Sequence, residues 1–389
     1  MDATARSLLI VGALLLLGLV ADLVAQRSRW IPRVTLLLVL GIVAGPEVSG
    51  VLGAAETEWF PVAATIALAM VGFLIGGEFT TERLRDDGTT VARIAVIGAV
   101  LTSAVVVGGL ALVGQSAQTA LLLGGIAAAT APAATVAVVT ESDRPTPLGR
   151  LLVAVVAVDD AAALVLFAVM AAFAAGLGPN GGTAGLVGDA VWEIAGGVGL
   201  GVVLGIPLAY LTGRIQPGEP TLEEALGAVL VCAGAALWLD VSVLLAAVVM
   251  GAVVANLARH HERPFHEIER IEWPFLIVFF LLAGASLEID ALGDVGLVAV
   301  AYVVLRSAGK VAGAWLGVTM TGGDPLVRRW LGWGLLPQAG VALGLALEAT
   351  ELIPEVAEKV LTVTVVTTVV FELAGPPLTR LALTRVAGD

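Results

Sequence analysis

About thirteen apolar stretches of bilayer-spanning length follow one another along the 389 residues, joined by short connections. Hydrocarbon offers no partner for a backbone N–H or C=O, so stretches of this length are expected to be helices. Six run near 7–25, 31–52, 60–79, 91–114, 118–140 and 148–176. Seven more run near 187–213, 222–239, 242–258, 271–289, 295–319, 331–349 and 358–384. Charged residues make up 14%, against about 25% in a soluble chain. Mean hydropathy is +0.99. The expected fold class is an all-α polytopic membrane protein with no room between segments for a soluble domain. The first stretch lacks a basic start and a clear small-residue cleavage site, and reads as a retained helix. A single cysteine, Cys232 in an apolar run, excludes a disulfide framework, and a net charge of −13 argues against nucleic acid as a partner.

The basic residues orient the bundle. Of 20 Lys and Arg, only Arg306 and Lys310 fall deep inside a segment, the rest lying in connections or at segment ends. Alternate connections then give sixteen arginines, from Arg27 to Arg385, to one face, and only Arg6 and Lys359 to the other. The positive-inside rule puts the arginine-rich face in the cytoplasm, with the N-terminus outside and the C-terminus inside the cell's inner (cytoplasmic) membrane.

Within the sixth segment, Leu151–Met170 reads LLVAVVAVDDAAALVLFAVM, with Asp159 and Asp160 at its middle. At about 1.5 Å rise per residue they sit near the bilayer midplane, where one charge costs about 3 kcal/mol. Carboxylates at that depth bind an ion, carry a proton or pair with a cation; the plainer alternative is a polar contact between helices. Pro132 and Pro337 each remove a backbone donor inside an apolar segment, 205 residues apart. LGIVAG (40–45) and MGAVVA (250–255) align with Gly41 over Gly251, and the same offset sets Glu78 over Glu288. With segment seven as connector, segments one to six and eight to thirteen enter from opposite faces, an inverted-topology repeat. Matched breaks in two inverted halves point to a transport site. Thr130 and Thr135 beside one break and Gln338 beside the other are candidate oxygen ligands; the alternative is a simple kink at each proline.

Arg306 and Lys310 in the eleventh segment are four apart and share a helix face. A buried ammonium requires an acid, and Asp159 or Asp160 is the expected partner. Successive residues differ by about 100° in direction, so one aspartate faces Lys310 and the other an ion path. Glu372 is expected to neutralise Arg306. Glu78 and Glu288 read as interfacial, and His260, His261 and His266 as part of a solvated cytoplasmic loop with pH sensing as the alternative.

The chain resembles the monovalent cation:proton antiporters, in particular the second such family of bacterial sodium/proton and potassium/proton exchangers. The resemblance covers nearly all of it, through LGIVAGP (40–46), GFLIGGEF (72–79), TAPAATVAVVTE (130–141), VDD (158–160), FFLLAGASLEI (279–289), LRSAGKVAGAWLG (305–317), LLPQAGVALGLAL (335–347) and FELAGPPLTRLAL (371–383). It implies a homodimer. Residues 1–90 and 217–292 would form the dimerisation domain, 91–180 and 293–389 the transport core, and 181–216 the linker helix. The broken segments would cross at Ala131–Pro132 and Pro337–Gln338. Asp160 matches the ion-binding aspartate, Asp159 the acid before it, and Lys310 the lysine that pairs with them, a set resembling electrogenic exchangers. Ala131 stands where a related family has an aspartate, and the nucleotide-binding domain of potassium efflux members is not expected here.

The expected activity is exchange of a monovalent cation, sodium first, for protons, by competition for Asp160 and Asp159, with Thr130 and Lys310 completing the ion and proton site. No cofactor is expected, and the chain is a transporter and not an enzyme; its partners are the transported ion, protons and the lipid bilayer. A potassium/proton exchanger or gated potassium efflux channel is the alternative, although a lysine at mid-depth opposes free cation conduction. An intramembrane aspartyl protease fits poorly, because adjacent carboxylates on one helix diverge.

Overall fold

The computed structural model describes residues 3–27, 33–52, 60–77, 80, 88–140, 146–177, 183–212, 221–258, 262–285 and 292–387. Among them are fifteen helices and no strand. These are α1 (Ala3–Arg27), α2 (Arg33–Ala44), α3 (Phe60–Gly77), α4 (Gly88–Leu112), α5 (Ala117–Ala128), α6 (Pro132–Thr140), α7 (Pro147–Ala175) and α8 (Thr183–Thr212). The second half holds α9 (Thr221–Trp238), α10 (Val243–Leu257), α11 (Glu262–Ala285), α12 (Leu292–Met320), α13 (Pro325–Gly334), α14 (Gly340–Leu352) and α15 (Pro354–Ala387). Among the described residues five helical stretches are long and apolar enough to cross a membrane: Leu8–Ala25, Gly88–Leu112, Pro147–Ala175, Ile194–Thr212 and Val295–Met320.

Two of the apolar segments are not single helices. The segment near 118–140 divides into α5 and α6 on either side of Ala129–Ala131, and the one near 331–349 into α13 and α14 around Leu335–Ala339. Pro132 opens α6, where its missing N–H costs nothing, and Pro337 sits in the second gap. The histidine-bearing loop is partly a helix. α11 already begins at Glu262, carrying His266 exposed and 3.5 Å from Glu269, with Arg270 3.5 Å from Glu267. Charge pairs three apart support a surface helix turn, which hydropathy alone does not register. Glu78, Glu288, His260 and His261 lie outside the described residues.

Hydrophobic packing falls mainly into two groups, which share apolar contacts along their boundary. Buried residues of α1, α2, α3 and α11 form one cluster, joined by Leu343 and Leu347 of α14 and Val365 of α15, and those of α3, α8, α9, α10 and α11 form another. The remaining two clusters join α4 to α7 with α12 to α15, the larger also taking in Leu68 of α3 and Leu244 and Val248 of α10. Helix α8 packs along α10 and also touches α7, so it bridges the groups.

Glycines set the closest approaches, and their pattern is reciprocal. A Cβ on Gly41 of α2 would strike the carbonyl of Leu281 in α11, and one on Gly284 of α11 would strike that of Leu38 in α2. The same holds between α3 and α10, where Gly76 faces the Val248 carbonyl and Gly251 that of Phe73. Pairing α2 with α11 and α10 with α3 is what an inverted repeat that equates α2 with α10 and α3 with α11 produces. Between α4 and α12, Gly309, Gly313 and Gly317 lie against the backbone at Thr102, Gly98 and Ile94. Only glycine lets helices meet this closely.

Candidate ion-binding site

The site stands where the two breaks meet. Ala131 donates its N–H to the Pro337 carbonyl at 2.9 Å, joining one gap directly to the other. Helix α7 is fixed beside them: Thr146 caps it by accepting from Gly149 N at 3.0 Å, Pro147 starts it, and a Cβ on Gly125 of α5 would press on Phe167 of α7. Asp159 and Asp160 on α7 are each 1% exposed.

A helix end leaves its last carbonyls without partners, and these carry partial negative charge. At the end of α5 two cations of α12 meet them. Arg306 donates Nε to the Ala127 carbonyl (3.2 Å), Nη2 to that of Ala129 (2.7 Å) and Nη1 to that of Leu336 in the second gap (2.8 Å). Lys310 Nζ donates to the Ala128 carbonyl (2.5 Å), Thr130 Oγ1 (2.8 Å) and Asp159 Oδ2 (2.5 Å), which uses all three of its protons. Thr130 Oγ1 in turn donates to Asp159 Oδ2. Asp159 is thus the aspartate that meets the lysine.

Asp160 points elsewhere. Its Oδ1 accepts from Thr130 N at 3.3 Å, at the start of α6 where backbone amides present partial positive charge. Its Oδ2 is buried and has no hydrogen-bond partner among the described residues. Gln338 donates Nε2 to Tyr302 Oη (3.0 Å) and to the Ile126 carbonyl (3.5 Å), leaving its Oε1 likewise without a partner. Thr135 faces away from the acids and donates to the Gly334 carbonyl at the end of α13 (3.5 Å), which Thr379 also meets (3.3 Å).

The expected neutralisation of Arg306 by Glu372 does not occur. No ion pair joins them; the guanidinium lies 4.3 Å over the Phe371 ring, and Glu372 is buried with Oε1 unpartnered. Three carbonyls satisfy the arginine without an acid, an arrangement available only because two helices end beside it. Three further residues escaped sequence reasoning. Tyr302 lies one turn before Arg306, so Tyr302, Arg306 and Lys310 form a stripe at spacing four, a signal that was present in the sequence. Ser242, the cap of α10, donates to Glu348 Oε1 of α14 at 2.5 Å and ties the two packing groups together; nothing in the sequence marks this pair.

Among the described residues no group of three or more His, Cys, Asp or Glu could hold a resident metal ion. The arrangement is instead two carboxylates at one place with two cations anchored by backbone. One carboxylate is held by Lys310, and the other has a free buried oxygen able to take a proton or a dehydrated monovalent cation.

A family model described as the transmembrane sodium/hydrogen exchanger matches residues 11–383. The ammonium/H(+) antiporter subunit AmhT of Alkalihalophilus pseudofirmus is 28% identical over 315 residues, 79% of each chain. The sodium proton antiporter MjNhaP1 of Methanocaldococcus jannaschii, in its structure at pH 8, superposes with a TM-score of 0.78. That match covers 99% of this chain and 100% of the other at 18% identity. An electron-microscopy structure of the same antiporter gives 0.73 at 19% identity, over 100% of this chain and 98% of the other. At such identity the likeness to MjNhaP1 is one of fold.

Proposed function

The chain belongs to the transmembrane sodium/hydrogen exchanger family, and from that premise we propose that this cation/proton antiporter takes sodium as its cation and binds it at Asp160. The observation that carries this reading is the Asp160 Oδ2 atom, buried at the crossing of two helix breaks and left without a partner. A buried polar atom without a partner is costly, and a proton or a cation removes the cost. The two cannot bind the same oxygen together, so each displaces the other. Thr130, which touches both aspartates, senses which is bound.

Movement of the helices α4–α7 and α12–α15 against α1–α3 and α9–α11 would carry Asp160 from one face of the membrane to the other. Support comes from the hydrophobic clusters, which follow the same line except where Leu343, Leu347 and Val365 pack with α1–α3 and α11, and Leu68, Leu244 and Val248 with the other group. The second group would form the contact in a homodimer. Exchange would be electrogenic: a cation arriving at Asp160 draws on Asp159, Lys310 loses part of the charge that holds its proton, and two protons leave for one cation.

Ammonium is a second reading, favoured by the 28% identical relative named for ammonium/H(+) exchange. Purified protein in proteoliposomes containing a pH-sensitive dye separates the candidates. Sodium should dequench the dye with saturation, and lithium, potassium and ammonium should rank below it. A response to ammonium or potassium without one to sodium would contradict the sodium assignment.

A further inference from the structure

A groove of about 720 Å³ runs along the outside of the molecule between α12 and α13. Ser307, Val311 and Trp315 of α12, at helical spacing, form one wall over about 12 Å of helix, and Arg328 and Trp333 of α13 face them. Val295–Met320 is a membrane-spanning stretch, and Trp315 and Trp333 are 48% and 36% exposed, so this wall meets lipid. Tryptophan and arginine gathered at one end of a spanning helix mark the membrane–water interface.

The charges at that end are unmatched. Arg328 lies 5.5 Å over the Trp315 ring and Arg329, which also lines the groove, 5.8 Å over Trp330. Among the described residues no carboxylate lies within ion-pair distance of either guanidinium. The nearest acid in sequence, Asp324, uses Oδ1 to accept from Leu326 N and Val327 N and cap α13. The groove is therefore apolar along its length and doubly positive at its interfacial end. An acyl chain that carries a phosphodiester with no compensating ammonium has the complementary form, since guanidinium forks pair with phosphate oxygens.

We propose that this groove binds one anionic phospholipid, its phosphate held by Arg328 and Arg329 and one acyl chain lying along Ser307, Val311 and Trp315. The position gives the lipid leverage. Ser307 and Val311 directly follow Arg306 and Lys310 on α12, and Gly332 of α13 is in close contact with the backbone of Lys310 and Val311. A seated lipid braces α12 against α13, the helices that hold Lys310 and the second break.

Thermal unfolding of the detergent-purified full chain, with and without added lipid, tests this, and native mass spectrometry counts what stays bound. Phosphatidylglycerol should raise Tm and be retained, while phosphatidylcholine with the same chains and inorganic phosphate should not raise it. The rise should be lost in the double variant Arg328→Gln/Arg329→Gln. It should also be lost in Ala308→Phe, which fills the groove and leaves its charge untouched. An equal rise with both lipids, a rise reproduced by phosphate alone, or an undiminished rise in either variant would overturn the proposal. The comparison of the two lipids on the unmutated chain stands by itself should a variant fail to fold.

Discussion

Lys310 Nζ lies 2.5 Å from Asp159 Oδ2, while Asp160, the next residue of the same helix, keeps Oδ2 buried and unpartnered. About 100° of helical direction separates a carboxylate committed to an ion pair from one open to a ligand. On this account the two aspartates have different duties, and the lysine, hydrogen-bonded to Asp159, is coupled to the open one by charge and through its neighbour.

That coupling makes Lys310 the test of charge movement. If the lysine carries a proton, Lys310→Gln should lose electrogenicity and exchange one for one or not at all, as read by transient currents on a solid-supported membrane. Undiminished charge movement in Lys310→Gln would make the lysine a structural tie and leave both protons to the aspartates.

Arg306 is expected to behave as an architectural residue. Arg306→Leu removes three charge-assisted hydrogen bonds and strands three carbonyls at the two helix breaks, at about 1.5–3 kcal/mol for each such bond. The variant should fail to accumulate as folded protein in size-exclusion profiles. Arg306→Lys keeps the charge without the planar fork, so it should fold with a lowered Tm. Wild-type stability of Arg306→Leu would contradict the role given to these bonds.

The reciprocal glycine contacts predict a packing defect far from the site. Gly251→Val places a side chain against the Phe73 carbonyl, and overpacking of this kind costs about 1–3 kcal/mol. Tm should fall, whereas Gly227→Ala on α9, where nothing lies within 4 Å of an added Cβ, should leave it unchanged. Equal Tm values for the two variants would count against close α3–α10 packing.

Much of this arrangement was legible in the sequence because it rests on costs that the sequence displays. An acid pair inside an apolar run, prolines inside two others, and a lysine four residues from an arginine are each expensive at membrane depth, and the structure gathers them at one point. The partners that remove those costs were not legible. Arg306 is met by carbonyls of Ala127, Ala129 and Leu336, and backbone groups look alike in every sequence; an acid such as Glu372 is the only partner that letters can suggest. The choice of Asp159 over Asp160 for Lys310 depends on the rotation of α7 against α12, which hydropathy does not fix along a run apolar on all sides. Ser242 and Glu348 meet across 106 residues and share no pattern.

The central claim is that the Asp160 carboxylate is the oxygen shared by cation and proton. Sodium-driven dye dequenching in proteoliposomes bearing Asp160→Asn measures it directly, with circular dichroism and Tm confirming that the variant is folded. An amide keeps the shape but accepts neither a titratable proton nor a strongly held cation, so the account predicts no exchange at any sodium concentration. Exchange at the wild-type rate by folded Asp160→Asn would place the site on other residues.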